Sequence, residues 1–231
     1  MAQPRIVVIL PTLNEEPTIA GVIDEIPRSA LEQAGYGVQV LVVDGNSTDR
    51  SRQTAERKGA RVIIEPRKGK GTAVTGALGV VEADFIFMLD ADGTYSPGYI
   101  PEMLRLLESR DAVVGSRLRG RRERGAMSRL NLVGNHLLSW LASLLYGRRI
   151  SDVCSGFWGF RGAVLKGLSL KATAFDLEAE IFSRLVGGGY TLAELPVSYR
   201  RRADRAKLRP WRDGVKIGWA LLARRFLRAG D

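Results

Sequence analysis

Two aspartates separated by one residue carry the clearest chemical signal in this sequence. Asp90 and Asp92 follow an apolar run, FIFML at residues 85–89, and stand just before Gly93. Where a buried strand gives way to a loop, two such carboxylates can face one ion, and Mg²⁺ and Mn²⁺ prefer oxygen ligands of this kind. A cation there would neutralise charge on a diphosphate leaving group. The alternative is a pair of aspartates that only form a turn.

Composition excludes several other metal chemistries. The 231 residues include one cysteine, Cys154, and one histidine, His136. A disulfide framework within the chain, a cysteine-rich zinc site and a histidine-rich metal site all need more of these residues. Any divalent metal must therefore use carboxylates, and the expected cofactor is Mg²⁺ or Mn²⁺.

Two further strand ends carry residues typical of a nucleotide site. The sequence PTLNE spans residues 11–15, and Asp44 follows the run VLVV at residues 40–43. In a nucleotide-binding α/β sheet, an acid at such a strand end reads a ribose hydroxyl or a base edge. Neither the G-x-G-x-x-G fingerprint nor the G-x-x-x-x-G-K-[ST] phosphate loop is present. We therefore expect a nucleotide site in which a metal on Asp90 and Asp92 replaces the missing phosphate cradle.

The elements that must position these residues alternate along the chain. Such alternation predicts a parallel sheet with right-handed crossovers and with ligands beyond the carboxyl ends of its strands. The predicted strands are residues 5–10, 38–43, 61–65, 85–90, 111–115 and 190–199. The predicted helices are residues 14–34, 47–58, 71–81, 101–109, 130–147, 175–186 and 214–227. The uncharged helix at 130–147 is expected to be buried or to lie on a membrane surface.

The formal charge of +10 is unevenly distributed. Residues 1–116 carry 12 basic and 16 acidic side chains, residues 117–129 carry 6 and 1, and residues 200–231 carry 11 and 3. Basic clusters attract phosphate-bearing partners such as anionic lipid, nucleic acid or a phosphorylated substrate. A solvated basic surface is the simpler alternative. Because no helix-turn-helix, zinc or RNA-binding signature is present, no nucleic-acid partner is expected.

Six motifs stand in a characteristic order. They are PTLNE (11–15), VVDGNSTDRS (42–51), KGKGTA (68–73), LDADGTYSP (89–97), GSR (115–117) and DVCSGF (152–157). This set resembles family 2 glycosyltransferases with the GT-A fold, and within them the dolichol-phosphate mannose synthase group, over residues 5–208. The resemblance implies a Rossmann-like, mostly parallel α/β sheet flanked by helices. It also implies an inverting transfer of a hexose from GDP-mannose, UDP-glucose or UDP-GlcNAc to dolichyl or another polyprenyl phosphate, giving a β-linked product.

The resemblance assigns roles to individual residues. Donor-nucleotide contacts fall on Pro11, Leu13, Glu15, Asp44 and Lys70. Metal contacts fall on Asp90, Asp92 and Thr94, and acceptor-phosphate contacts on Arg117, Ser155, Arg202 and Lys207. The catalytic residues would be Asp90, Asp92 and Arg117. Two departures leave open which basic side chains hold the acceptor: Ser151 stands where close relatives carry arginine, and Ala206 where they carry serine.

Two kinds of acceptor make different demands on the site. A phosphate monoester is already ionised near neutral pH and needs no general base. A soluble sugar or polyol, the alternative acceptor, needs a base carboxylate, for which Asp176, Glu178 and Glu180 are the candidates.

The chain is expected to divide into a catalytic domain, residues 1–208, and a basic amphipathic tail, residues 209–231. Residues 1–116 would hold the donor and residues 117–208 the acceptor. The tail is too short and too charged to span a bilayer. It is expected to lie on the cytoplasmic face of a membrane, alone or with a separate membrane subunit.

Overall fold

A seven-stranded mixed sheet forms the centre of the molecule, and the computed structural model describes residues 3–174, 176–202 and 210–226. From one edge to the other, the strand order is β3-β2-β1-β4-β6-β5-β7. This arrangement confirms the predicted α/β class. The strands are β1 (Arg5–Thr12), β2 (Gly37–Asp44), β3 (Arg61–Ile64), β4 (Phe85–Met88), β5 (Ala112–Ser116), β6 (Trp158–Arg161) and β7 (Leu192–Pro196).

One strand runs against the others. β6 pairs antiparallel with β4 and β5, whereas the remaining pairs of the sheet are parallel. The sequence analysis missed β6, because four residues that include Gly159 are too short a run to show a strand period. Trp158 stands opposite Met88 on β4 and Val114 on β5. Pairing with both neighbours, rather than local propensity, therefore defines this strand.

The helices cover both faces of the sheet, and most lie within a few residues of their predicted positions. The region predicted as one helix at residues 14–34 is instead two helices, α1 and α2. Pro27 stands between them, and a proline ring cannot continue the helix that precedes it. The helices are α1 (Glu16–Asp24), α2 (Arg28–Gln33), α3 (Ser51–Arg57), α4 (Lys70–Leu78), α5 (Ile100–Leu107), α6 (Arg129–Tyr146), α7 (Gly162–Gly167), α8 (Leu177–Gly187) and α9 (Pro210–Phe226).

Alternate residues of the central strands build two separate cores. Val7 and Ile9 of β1 pack on the face covered by α4 and α6–α9. Ile6 and Val8 of the same strand pack on the opposite face, which is covered by α1, α2, α3 and α5. Because both faces are buried, β1 and β2 read as continuous apolar runs, which is how the sequence identified them.

Helices α6 and α9 pack against each other and leave an apolar surface uncovered. The described part of the chain contains no helix both long enough and apolar enough to cross a bilayer. Along α6, one stripe of large apolar side chains is exposed at three- and four-residue spacing, and α9 adds further ones. We call this surface the apolar platform; it consists of Leu130, Val133, Leu137, Trp140, Leu144, Val215, Trp219 and Phe226.

Candidate active site

The carboxyl ends of three adjacent strands bring the sequence motifs to one edge of the sheet. Thr12 at the end of β1 stands beside Asp44 at the end of β2, and Ile9 stands beside Met88 at the end of β4. The PTLNE segment, Asp44 and the two aspartates after β4 therefore meet there, as a parallel sheet requires.

Asp90 shares a buried cation with an acid from a distant helix. The ammonium of Lys70, at the start of α4, lies 2.5 Å from Asp90 Oδ1 and 2.7 Å from Glu178 Oε1. Burial disfavours the charged ammonium, yet the two carboxylates outweigh this effect and raise the pKa of Lys70. Burial raises the pKa of Glu178, and Lys70 opposes that shift. No motif in the sequence predicts this pairing.

Asp92 is oriented by two partners. Its Oδ1 accepts hydrogen bonds from the backbone N–H (3.1 Å) and the hydroxyl (2.6 Å) of Thr94, and its Oδ2 lies 3.1 Å from Arg202 Nη1. Arg202 also donates through Nη2 to Glu15 Oε1 at 2.9 Å. Burial and the neighbouring charge of Asp90 raise the pKa of Asp92. Thr94 is buried and supports the carboxylate of Asp92 in this structure.

The donors at this edge suit a hard divalent cation. Among the described residues, the carboxylates of Glu15, Asp90, Asp92 and Glu178 contact Lys70 and the arginine that bridges Glu15 and Asp92. All the anionic donors are carboxylate oxygens, which Mg²⁺ and Mn²⁺ prefer. Within the described residues, no group of three or more Asp, Glu, His or Cys side chains could hold a metal together. Asp90 and Asp92 would hold the ion, and a diphosphate would supply further oxygens.

Asp44 offers an acceptor at the second strand end. Its side chain is fully buried, and Oδ2 accepts from the Ser47 N–H at 2.9 Å and lies 3.2 Å from Arg52 Nε. Oδ1 is buried without a hydrogen-bond partner among the described residues. Because an unsatisfied buried oxygen is costly, this atom suits an N–H or O–H of a ligand. Pro11 is partly buried nearby in sequence, and Leu13 is exposed.

Gly156 explains why the SGF sequence has a glycine beside the aspartates. A Cβ atom on Gly156 would lie 2.3 Å from Asp90 Oδ2 and 3.0 Å from Lys70 Nζ. Contacts below 3.0 Å require something to move, and here the atoms in the way are the side-chain ends of the ion pair between Lys70 and the partly exposed Asp90. Three motifs therefore lie in contact at the Lys70–Asp90 ion pair: KGKGTA through Lys70, LDADGTYSP through Asp90, and DVCSGF through Gly156.

Two residues predicted to touch the acceptor phosphate are engaged inside the protein. Arg117 is buried and donates from Nε and Nη2 to the two carboxylate oxygens of Asp152 at 2.8 and 2.7 Å. Ser155 is fully buried and donates to the carbonyl oxygen of Gly115. A bidentate guanidinium–carboxylate pair uses the fork that would otherwise hold a phosphate. In this structure both side chains hold the loops beside the site, and their contact with an acceptor phosphate stays a prediction.

The two basic segments are neighbours in space. Tyr199 N–H donates to the carbonyl oxygen of Arg121, and Tyr199 accepts from the N–H of Glu123, which joins residues 117–123 to residues 199–202. Arg121 and Arg201 are exposed, and Arg202 reaches the metal-side carboxylates. The sequence analysis did not single out Arg121 or Arg201. Lys207, the remaining predicted phosphate contact, lies outside the described residues.

The three candidate bases are all ion-paired. Glu178 pairs with Lys70, as described above. Glu180 lies 2.9 Å from Arg184 Nε, and Asp176 lies 3.2 Å from Arg224 Nη2. Glu180 is also fully buried, and its Oε2 accepts from backbone N–H groups of the loop that precedes α8. Burial opposes the charge of Glu180, but Arg184 and the two backbone N–H groups outweigh it and lower the pKa of this carboxyl, so Glu180 is a poor proton acceptor. Glu178 differs, because burial raises its pKa.

Comparison with known proteins agrees with this geometry. Residues 7–168 match the family described as Glycosyl transferase family 2. The chain is 36% identical over 219 residues to glycosyltransferase AglJ of Haloferax volcanii, covering 93% of this chain and 70% of that protein. It is 35% identical over 216 residues to a dolichyl-phosphate hexose transferase of the same organism, covering 93% and 91%.

A solved structure resembles the whole fold. Glucosyl-3-phosphoglycerate synthase from Mycobacterium tuberculosis, in complex with Mn²⁺ and uridine-diphosphate-glucose, superimposes with a TM-score of 0.73 at 26% identity. The match covers 96% of this chain and 79% of that one. Another structure of that enzyme, in complex with phosphoglyceric acid, gives a TM-score of 0.74.

Proposed function

The chain belongs to glycosyl transferase family 2, and we propose that it transfers a hexose from a nucleotide diphosphate sugar to dolichyl or another polyprenyl phosphate. The transfer would invert the anomeric centre, use Mg²⁺ or Mn²⁺, and give a β-linked lipid-phosphate sugar. Support comes from the site at the carboxyl ends of β1, β2 and β4 and from the relative named dolichyl-phosphate hexose transferase.

The donor half of this proposal rests on Asp44, Asp90 and Asp92. The unsatisfied oxygen of Asp44 suits a nucleoside donor group, and the aspartates after β4 suit the cation. When bound, that cation would neutralise the charge of the leaving diphosphate. Lys70 lies beside Asp90 and carries a positive charge that the diphosphate can also use. The structural relative bound to Mn²⁺ and uridine-diphosphate-glucose supports this arrangement.

One observation carries the choice of acceptor: Asp176 and Glu180 are each in an ion pair with an arginine, and Glu178 shares the Lys70 ammonium with Asp90. A hydroxyl acceptor would need one of them as a free base, whereas a phosphate monoester attacks as an anion and needs only positioning and charge stabilisation. Arg121 and Arg201 are exposed on the two basic segments that meet at Tyr199, and they suit an incoming phosphate, since guanidinium groups bind it through two donors.

The apolar platform supports a peripheral position on the cytoplasmic face of a membrane. Large apolar side chains of α6 and α9 are exposed, and basic residues flank them: Arg129, Arg148, Arg149, Lys216 and Arg225. An amphipathic surface with a basic border binds anionic bilayers or a separate membrane subunit. Flotation with vesicles of anionic and of zwitterionic lipid tests this part, and binding is expected to depend on the anionic lipid.

A soluble phosphorylated acceptor is the second candidate. It is favoured by the structural relatives, which are glucosyl-3-phosphoglycerate synthase and include a complex with phosphoglyceric acid. 3-Phosphoglycerate carries a free hydroxyl besides its phosphate, and transfer to that hydroxyl would need a base among these carboxylates.

The test supplies radiolabelled GDP-mannose, UDP-glucose or UDP-GlcNAc with Mn²⁺ and either polyprenyl phosphate, 3-phosphoglycerate or no acceptor. We expect label in the organic phase with polyprenyl phosphate, and a loss of about 100-fold in the variant Asp92→Asn. Asp24→Asn, at an exposed ion pair, is the matched control and should keep full activity. Label that appears only in a water-soluble product would overturn the lipid acceptor in favour of the second candidate.

A further inference from the structure

Arg224 of α9 contacts two acids at the beginning of α8. Its Nη2 lies 3.2 Å from Asp176 Oδ2 and 3.5 Å from Glu180 Oε2. Only 13% of the Arg224 side chain is exposed, and Glu180 is fully buried. The next residue, Arg225, is exposed. A positive charge from the last helix therefore enters the body of the protein beside α8.

Glu180 links Arg224 to the polypeptide backbone of a neighbouring loop. Its Oε2, the oxygen nearer Arg224, accepts hydrogen bonds from the N–H groups of Lys171 and Ala172 at 2.8 and 2.5 Å. Its Oε1 binds Arg184. One buried carboxylate thus joins α9 to the loop at residues 171–174. Burial opposes the charge of Glu180, whereas Arg184, the two backbone N–H groups and, to the smallest extent, Arg224 favour it and lower its pKa.

The 171–174 loop lies directly against the turn that carries Lys70. A Cβ atom on Gly69 would lie 1.9 Å from the carbonyl oxygen of Thr173, and one on Gly71 would lie 2.4 Å from that of Ala172. Gly69 also has a φ of +118°, which an L side chain rarely adopts. The N–H of Thr72 donates to the carbonyl oxygen of Thr173. The two backbones are in contact on both sides of Lys70, so a shift of one moves the other.

We propose that Arg224 is a positioning residue for the donor site, acting through Glu180 and the 171–174 loop on Lys70. It does not touch the reacting groups. Its role is to hold the loop that fixes where α4 begins, and thereby to keep the Lys70 ammonium between Asp90 and Glu178. The inference rests on the proposed function only in that Asp90 belongs to the donor and metal site.

The experiment compares Arg224→Gln with Arg225→Gln, which removes the neighbouring exposed charge, and with Arg224→Lys, which keeps the charge. Amide hydrogen exchange reads the loop at residues 171–174 and the turn at residues 69–73 in the protein without ligand. Titration with UDP or GDP in the presence of Mn²⁺ measures the affinity of the donor site for nucleotide. Steady-state kinetics separates effects on KM for the sugar nucleotide from effects on kcat.

We expect faster exchange in both segments and about tenfold weaker Mn²⁺–nucleotide binding in Arg224→Gln, with the loss in KM rather than kcat. Arg224→Lys should recover most of the binding, and Arg225→Gln should match the wild type. Unchanged exchange and binding in Arg224→Gln would overturn the proposal, as would equal effects of the two glutamine variants. If Arg224→Gln does not fold, Arg224→Met, which keeps much of the aliphatic stem and removes the charge, takes its place in the same comparison.

The outcomes separate this inference from the proposed function. If wild-type protein binds no nucleotide with Mn²⁺, the proposed donor site fails, and the exchange measurements still decide whether Arg224 holds the loop. If wild-type protein binds nucleotide and Arg224→Gln binds it equally well, the donor site stands and the positioning role fails.

Discussion

Replacing Lys70 by methionine tests how much its ion pairs with Asp90 and Glu178 stabilise the folded protein, and whether their burial sets that contribution. Lys70 is 11% exposed and touches Asp90 and Glu178 at 2.5 and 2.7 Å. Removing one partner of a buried ion pair costs about 3–5 kcal/mol, because a charge is left without compensation. We therefore expect Lys70→Met to lower the free energy of unfolding by about 3–5 kcal/mol at pH 7.5.

A surface lysine with the same contact distance provides the control. Lys58 lies 2.5 Å from Asp24, but the two side chains are 38% and 55% exposed. Exposed pairs contribute about 0–1 kcal/mol. Lys58→Met should therefore change stability within about that range, although the two ion pairs look alike in distance alone.

The pH dependence follows from Glu178. Burial raises its pKa in the folded protein, and removing Lys70 takes away the charge that opposes this rise. A carboxyl whose folded-state pKa is raised favours the folded protein when protonated, and this stabilisation is lost as pH rises above its unfolded pKa of about 4.3. The loss of unfolding free energy in Lys70→Met, relative to the wild type, should accordingly be smaller at pH 5 than at pH 7.5.

Urea unfolding of the single variants and of the double variant Lys70→Met/Glu178→Gln measures these quantities. The neutral amide removes the uncompensated charge, so the double variant should regain about 1–3 kcal/mol relative to Lys70→Met. Equal losses for Lys70→Met and Lys58→Met, or no recovery in the double variant, would refute the reasoning that burial sets the strength of this ion pair.

Three further outcomes are expected. Gly156→Ala should weaken Mn²⁺ binding at least about tenfold by calorimetry, since its Cβ would collide with Asp90, while Gly134→Ala, in open space on α6, should bind normally; equal binding would contradict the close contact. Cys154 is only partly buried, but desolvation by its surroundings raises the pKa of its thiol to about 12, so little thiolate forms and the folded protein should resist a thiol reagent at pH 8 and react once unfolded in guanidinium; rapid labelling of native protein would disagree. Arg117→Lys should destabilise the protein by about 3 kcal/mol in urea without weakening nucleotide binding, and a selective loss of acceptor affinity would instead restore Arg117 to the acceptor site.

Strand ends and their polar residues could be predicted because they obey local rules. Apolar β-branched runs buried on both faces identify parallel strands, and parallel strands end at one edge, so Asp44, Asp90 and Asp92 had to meet. β6 could not be found in this way, because its four residues are held by pairing with strands distant in sequence.

The partners of charged side chains were beyond sequence reasoning for a related reason. The motif GSR does not indicate that the guanidinium of Arg117 binds the carboxylate of Asp152, 35 residues away. Likewise, the motif KGKGTA does not indicate that the ammonium of Lys70 binds Glu178, 108 residues away. The signal that could have pointed to Arg117 is its place next to a fully buried strand, where an unpaired charge is too costly. Motifs therefore predict which residues lie at one site, whereas the tertiary fold determines which oppositely charged side chains form ion pairs.

The uneven charge of the chain also acts within the molecule. Arg202 of the basic C-terminal region binds Glu15 and Asp92 of the acidic N-terminal region, and Arg200 of the same region lies 2.6 Å from Glu25. The excess of basic residues after position 116 therefore serves partly to dock residues 199–202 onto the donor half, and is not all available to a lipid phosphate. Because Arg202 already neutralises a predicted metal ligand, a cation at Asp92 competes with it. If a cation bound there, Nη1 of Arg202 would lose its contact with Asp92 and become available to a phosphate, while Nη2 would stay on Glu15, so one side chain would link the two halves of the site.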